Sequence, residues 1–383
     1  MRTNTVAPSS GVAAGGAARP ARPARPARPP LAWLLDGPAQ IGAGRHAGAV
    51  AGRIDLAGNA AYVYPEIAGY YLQWLAWRAS TGVDAKRLAA KAAGVQRWLA
   101  VWLAERQPPR TRVHFDGESD WRNDAVFCFD LAMVLRGLAS ATEARLIGPD
   151  SGLVAEVGRQ LEPLIADRGD FDACRLVDSG VSVPQRWSTR RGPFLAKAAA
   201  GVLAAARVFP QVMSGSVERA ALASFDTSVD ALLATPHREV HPLLYAFEGV
   251  LSLPAHPRLR GILPQLVSRF EVLLAAADAD GRLPETLAGP AEERGPARVD
   301  VAAQALRIGC LLDRHGGSGT VDAVALRRLH GLLQAEVQPS GAVPFAMGVP
   351  VTYWNTWAAM FADQALVFAQ ATDFDLLADP LLV

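Results

Sequence analysis

Apolar residues recur along this chain in pairs of helical segments, one apolar nearly all round and the next amphipathic. Ile67, Tyr70, Tyr71, Trp74, Leu75 and Trp77 follow Tyr64-Pro65-Glu66 at near-helical intervals, and Thr81-Gly82 breaks the run. A second helix is expected from Asp84 to about Glu105, with Lys86, Arg87, Lys91 and Arg97 on its outer face. Pro108-Pro109 stops it. The alternation continues. Apolar Asn123–Ser140 precedes amphipathic Gly152–Asp167, and Gly192–Val208 precedes Val217–Leu233. His241–Leu253 precedes Pro257–Ala277, and Val299–Leu312 precedes Val321–Val337. Thr356–Ala371 has no full partner after it, so Leu31–Leu35 is expected to supply part of the missing outer turn.

Self-similarity at this spacing marks stacked helix pairs. Helices apolar all round belong inside, and amphipathic ones face solvent. The pattern therefore predicts an all-α chain with two concentric rings, an (α/α)6 toroid over residues 31–383. An open solenoid would use the same pairs. Closure is favoured because the two chain ends share one hairpin. The inner helices each begin at a Pro, Gly or polar break, so a closed ring gathers those starts at one mouth. Loops 278–284 and 338–344, each with a Gly and an apolar-Pro pair, and the equivalent connection 112–120 are expected on that side.

Composition narrows the class. Half of the 383 residues are hydrophobic, enough for a large core, while 38 Lys+Arg against 37 Asp+Glu leave no global field for nucleic acid or an anionic membrane. Cys128, Cys174 and Cys310 are odd in number and far apart, which predicts buried free thiols and no metal spacing. No Gly-rich phosphate loop precedes a strand, so no cofactor is expected. Residues 1–30 place Pro at every third position through Ala18–Pro29 and read as a disordered basic tail. That tail lacks a signal peptide's apolar core of about 7–15 residues. The expectation is a cytoplasmic location by default, with periplasmic placement or export as the alternative, and no membrane insertion. The sequence leaves oligomeric state open.

Four inner-helix strings carry a resemblance. They are Tyr64-Pro65-Glu66-Ile67-Ala68-Gly69-Tyr70, Phe129–Leu138, His241–Val250 and Asn355–Leu366. They resemble the inner helices of six-hairpin (α/α)6 toroid carbohydrate-active proteins from bacterial surface-polysaccharide clusters, over about residues 31–372. The chain also resembles a lyase for a capsular polysaccharide of the Vi-antigen type, although no motif selects that polymer. The resemblance implies an acidic polysaccharide or oligosaccharide as partner.

Candidate chemistry gathers at the helix starts. Glu66 serves either as a helix-dipole partner or, among Tyr62, Tyr64, Tyr70 and Tyr71, as a sugar-facing acid. His241 and Tyr245 share a helix face four residues apart, with Glu248 beside it. Arg186, Arg190 and Arg191 flank Trp187, and guanidinium forks recognise carboxylates. Asn355 stands either as a helix cap or as an amide at the mouth. Asp130 and Asp300 are acids on inner helices, expected to be paired, hydrated or catalytic. His114 and Trp121 lie in an acidic loop, and Tyr353 and Trp354 are aromatic candidates for sugar contacts.

These residues predict a polysaccharide lyase acting on a uronic acid by β-elimination. His241, Tyr245, Arg190, Asn355 and Glu66 are its expected catalytic set. Arg, Asn or neutral His would stabilise the carboxylate as the C5 proton leaves, and Tyr or His would take that proton. The alternatives are a glycoside hydrolase pairing Glu66 with Asp130, Glu248 or Asp300, and a non-catalytic glycan-binding protein.

Overall fold

The computed structural model describes residues 30–118, 120–234, 236–253, 256–289, 295–317, 319–371 and 383. The Ala/Arg/Pro-rich tail, residues 1–29, lies outside them. Twelve α-helices occur among the described residues. Six form an inner ring: α2 (Pro65–Ser80), α4 (Cys128–Glu143), α6 (Leu195–Val208), α8 (Val240–Leu251), α10 (Val299–Gly316) and α12 (Thr356–Gln370). Each packs on the next, and α12 packs back on α2, so the ring closes. The outer helices are α1 (Pro30–Asp36), α3 (Ala85–Glu105), α5 (Ser151–Leu161), α7 (Gly215–Ala234), α9 (Pro257–Leu274) and α11 (Ala323–Glu336). Each outer helix α3 to α11 packs on the inner helix before it, and α1 packs on α12. The fold is an (α/α)6 toroid. None of the described helices is long and apolar enough to cross a membrane.

Small residues let the inner helices touch. A methyl group on Gly69 of α2 would come within 2.3 Å of the Met133 carbonyl oxygen of α4. One on Gly249 of α8 would sit 2.3 Å from backbone atoms of α6. Helix α6 is itself half alanine and buries Ala196, Ala198, Ala199 and Ala200. Where the first and last inner helices meet, Asp363 accepts from Trp74 Nε1 and Arg78 Nε, both at 2.8 Å. This buried ion pair joins residues 285 apart in sequence.

Helix starts differ between the rings. Outer helices α3, α5 and α11 are capped by Asp84, Asp150 and Asp322. The inner helices α2, α4, α6, α8 and α10 have no side-chain cap. Four of them grow directly out of strands or bridges. Strand β2 (Ala60–Val63) leads into α2, β4 (Ala125–Phe127) into α4, Glu239, bridged to Thr286, into α8, and Arg298, bridged to Ala346, into α10. The expected start of α4 at Asn123 is therefore corrected to Cys128. Residues 121–124 form a 3-10 turn, and β4 pairs antiparallel with β5 (Cys174–Leu176). A second sheet has the order β3-β2-β1-β6, with β1 (Ala51–Asp55), β3 (Val113–His114) and β6 (Tyr353–Asn355). Its register pairs Arg53 with Asn355 and Tyr62 with His114. This sheet ties the two ends of the ring together a second time. Cys128 is buried, and Cys174 and Cys310 are partly covered; all three are free thiols.

Candidate active site

The starts of all six inner helices border one cavity of about 470 Å³. Helix α2 supplies Glu66, α4 supplies Asp130, α8 supplies His241 and Tyr245, and α12 supplies Trp357. Phe194 and Arg298, the residues preceding α6 and α10, complete the ring. The four-stranded sheet adds Arg53, Tyr62 and Tyr353 at the rim. Loops between hairpins add Arg112, Arg122, Arg186, Trp187, Glu285 and Phe345.

The two carboxyls on α2 and α4 are forced toward their neutral forms. Tyr64 donates to Asp130 Oδ1 at 3.0 Å, and the buried Oδ2 has no protein partner. Burial, then the neighbouring Glu66 charge, pushes the Asp130 carboxyl well above its ordinary range. Burial raises Glu66 as well, against hydrogen bonding with Tyr64 and the nearby Arg112 charge. Burial thus favours the acid form of Asp130, whose side chain borders the cavity.

His241 is held as a neutral base. Burial, with Arg298 adding repulsion, pushes the imidazole down to about 4. Its Nδ1 lies 2.7 Å from Gln304 Oε1. The ring packs edge-on to Trp187 at 5.8 Å and against Tyr245 at 4.3 Å between centroids. Tyr245 is kept protonated: burial and the Glu66 charge push its hydroxyl well above the usual range. It can donate a hydrogen bond but supplies no tyrosinate base at neutral pH.

Arginine dominates the rest of the wall. Arg112 pairs with Asp120 at 2.7 Å and lies over the Tyr62 and Tyr64 rings. Arg122 shares Asp120 at 3.1 Å. Arg298 Nε bonds Asp300 at 3.0 Å, and Trp357 Nε1 bonds the same carboxylate at 3.0 Å. Arg53 lies 4.4 Å over the Tyr353 ring. Among the described residues neither Arg53 nor Arg186 has an ion-pair partner. With Glu66 and Asp130 pushed toward neutrality, the cavity carries surplus positive charge and suits an anionic ligand.

Several expected site residues sit elsewhere. Arg190 is exposed, gives its Nε to the Arg186 carbonyl at 3.3 Å and does not border the cavity. Arg191 is taken up by Asp170. Asn355 is fully buried, because its Oδ1 caps α12 by accepting from Ala358 N at 2.9 Å. Tyr70 is buried edge-on to Phe361. Trp121 packs on Phe127, Trp354 pairs with Ile54 in the sheet, and His114 packs at a tilt against Tyr62; none of the three lines the cavity. Asp300 is fully buried and orients Arg298. Glu248 is fully buried among Lys197, Arg307 and Gln304 and so cannot touch substrate. Glu66, Asp130, Arg186, Trp187, His241, Tyr245 and Tyr353 do share the cavity.

Sequence reasoning missed Arg53, Arg112, Arg122 and Arg298. Arg298 offered a signal, since it immediately precedes the helix that carries Asp300. The others reach the mouth from strand β1 and from hairpin loops, where no helical period announces them. Lys197 and Arg307 offered a second signal, as cations set within the apolar runs of inner helices.

No protein-family model and no curated protein matches the chain. Solved structures do. Cellobiose 2-epimerase from Spirochaeta thermophila is similar with a TM-score of 0.63 and 16% identity, covering 89% of this chain and 94% of that one. A sugar epimerase from a ruminal bacterium is similar with a TM-score of 0.65 and 10% identity, covering 90% and 96%. An unsaturated glucuronyl hydrolase specific for heparin follows at 0.57 and 10%, covering 84% and 92%. At these identities the likeness establishes the toroid fold alone, because one fold hosts many reactions.

Proposed function

We propose that the protein is a carbohydrate-active enzyme that takes a uronic-acid-containing glycan and cleaves it by β-elimination. The observation that carries this reading is the combination in one cavity of the His241 imidazole, the buried Asp130 carboxyl, which burial pushes toward its neutral form, and arginines without an ion pair. A uronate needs all three. Arg186 or Arg53 receives the sugar carboxylate and stabilises the enolate-like charge that forms on it. His241 takes the proton from C5, and the C5–H electron pair becomes the C4–C5 double bond. The C4–O4 bond breaks, and Asp130 gives its proton to the departing oxygen. Solvent then carries the proton from His241 back to Asp130. Trp187, partly exposed at the cavity, provides an apolar face for a sugar ring. The three structural neighbours named for sugars, one of them a glucuronyl hydrolase, support the substrate class.

Incubation with acidic polysaccharides under ultraviolet light tests the reading. Elimination creates a double bond conjugated to the carboxylate, and absorbance rises as chains shorten. Chain shortening with new reducing ends and no absorbance would replace elimination with hydrolysis. One observation favours that second reading: Glu66 and Asp130 border the same cavity as a pair of carboxyls. The Glu66 charge helps to raise Asp130, a separation into base and acid that a hydrolase would also use.

A further inference from the structure

Beneath the cavity floor lies a buried polar chain that the proposed reaction does not itself use. Lys197 Nζ donates to Glu248 Oε2 at 2.7 Å, and Arg307 donates to Glu248 Oε1. Gln304 Nε2 donates to Glu248 Oε2 at 3.0 Å, and Gln304 Oε1 faces His241 Nδ1 at 2.7 Å. Glu248, Gln304 and Arg307 are fully buried, and Lys197 nearly so. Lys197 and Arg307 also donate to the Val383 carbonyl oxygen.

The charges dictate the direction of every hydrogen bond in this chain. Burial alone would raise Glu248, but Lys197 and Arg307 outweigh it and hold the carboxyl below its ordinary value. Lys197 is itself pushed down to about 8, because burial outweighs the support of the Glu248 charge and Arg307 adds repulsion. Glu248 is therefore an acceptor at both oxygens. The Gln304 amide must turn its NH2 toward Glu248, since the reverse orientation would set two oxygens against each other at 3.0 Å. That orientation leaves Gln304 an oxygen for His241, which requires a proton on Nδ1. The remaining charged neighbours of the imidazole are Arg298 and Asp300, which pair with each other.

We propose that Gln304 and Glu248 are positioning residues that fix His241 in the Nδ1–H tautomer and present Nε2 to the cavity as an open lone pair. The catalytic use of that lone pair rests on the elimination reading above; the tautomer itself does not. A carboxylate placed directly on Nδ1 would stabilise the imidazolium. An amide relay orients the ring and supports the imidazolium less than a carboxylate would, so burial keeps the base unprotonated.

The test is two-bond nitrogen–proton NMR on the full chain with 15N-labelled histidine, with the His241 signals assigned by their loss in His241→Asn. The expected wild-type pattern is a protonated Nδ1 and an unprotonated Nε2 throughout the neutral range. Gln304→Leu should bring in the Nε2–H form and lower kcat about tenfold or more with little change in KM. A wild-type spectrum dominated by Nε2–H would overturn the proposal, and it needs no variant to fold. So would a Gln304→Leu protein that keeps the wild-type pattern, since a purely structural role lowers thermal stability without moving the tautomer. The expected spectrum from a protein with no eliminase activity would leave the positioning role standing and remove only the reaction.

Discussion

His241 and Asp130 carry opposite linkage, so pH separates their roles. The His241 value lies below that of an unfolded histidine. Its burial thus contributes stability that is present above about pH 6.5 and lost as pH falls toward 4. At the limit the loss is on the order of 3 kcal/mol. Thermal melts of His241→Gln should show a flatter acid limb over that window. Asp130 runs the other way. Its folded value is raised, so its contribution is intact below the ordinary carboxylate range and lost as pH climbs through the raised value. Asp130→Asn should gain stability over wild type at mildly alkaline pH and show no gain in acid. Elimination should follow a bell-shaped profile, rising as His241 deprotonates near 4 and falling as Asp130 ionises. Substituting His241 or Asp130 should lower kcat by about 10²-fold or more. Arg190→Ala should change little, because that side chain points away from the cavity.

At the scale of the helix, close approach decides tolerance. Gly69 and Gly249 sit where inner helices touch backbone to backbone. Gly69→Ala should destabilise by about 1–3 kcal/mol, as inserted methyl groups do in a packed core. Gly261, exposed in outer helix α9 with open space beside it, is the control. Gly261→Ala should stabilise by about 0.5–1 kcal/mol through helix propensity alone. Chemical denaturation of the two variants checks both signs. This contrast was only half legible in the sequence. The apolar period located both helices, but no period distinguishes a glycine at a helix crossing from one facing water. The same limit hid β4 and the 3-10 turn before α4, because three residues of strand depend on distant partners at Cys174, Arg175 and Leu176.

Across the whole molecule, the ring depends on the seam between α2 and α12. Asp363 there is buried and accepts from both Trp74 and Arg78. Asp363→Ala should cost about 3–5 kcal/mol, because it leaves a buried guanidinium uncompensated. Replacing both partners, as in Arg78→Met with Asp363→Leu, should recover much of that loss. A double-mutant cycle read by denaturant midpoint measures the coupling. The seam also holds the cavity together, since Glu66 and Trp357 stand on its two sides. A destabilised seam should therefore lower activity and melting temperature together, unlike the His241 and Asp130 variants.

The sequence by itself determined the helix pairs, their inner and outer character, the partnership of α1 with α12, and the gathering of helix starts at one mouth. It could do so because hydrophobic period is local and each helix carries its own. It also marked Glu66, Asp130, Arg186, Trp187, His241, Tyr245 and Tyr353, which share the cavity. Only tertiary structure decided that Asn355 is spent as a cap, that Glu248 faces two buried cations, and that Arg53, Arg112 and Arg298 form the wall. The physical reason is that a side chain's charge, burial and partners come from residues tens to hundreds of positions away, and closing the ring is what chooses those neighbours.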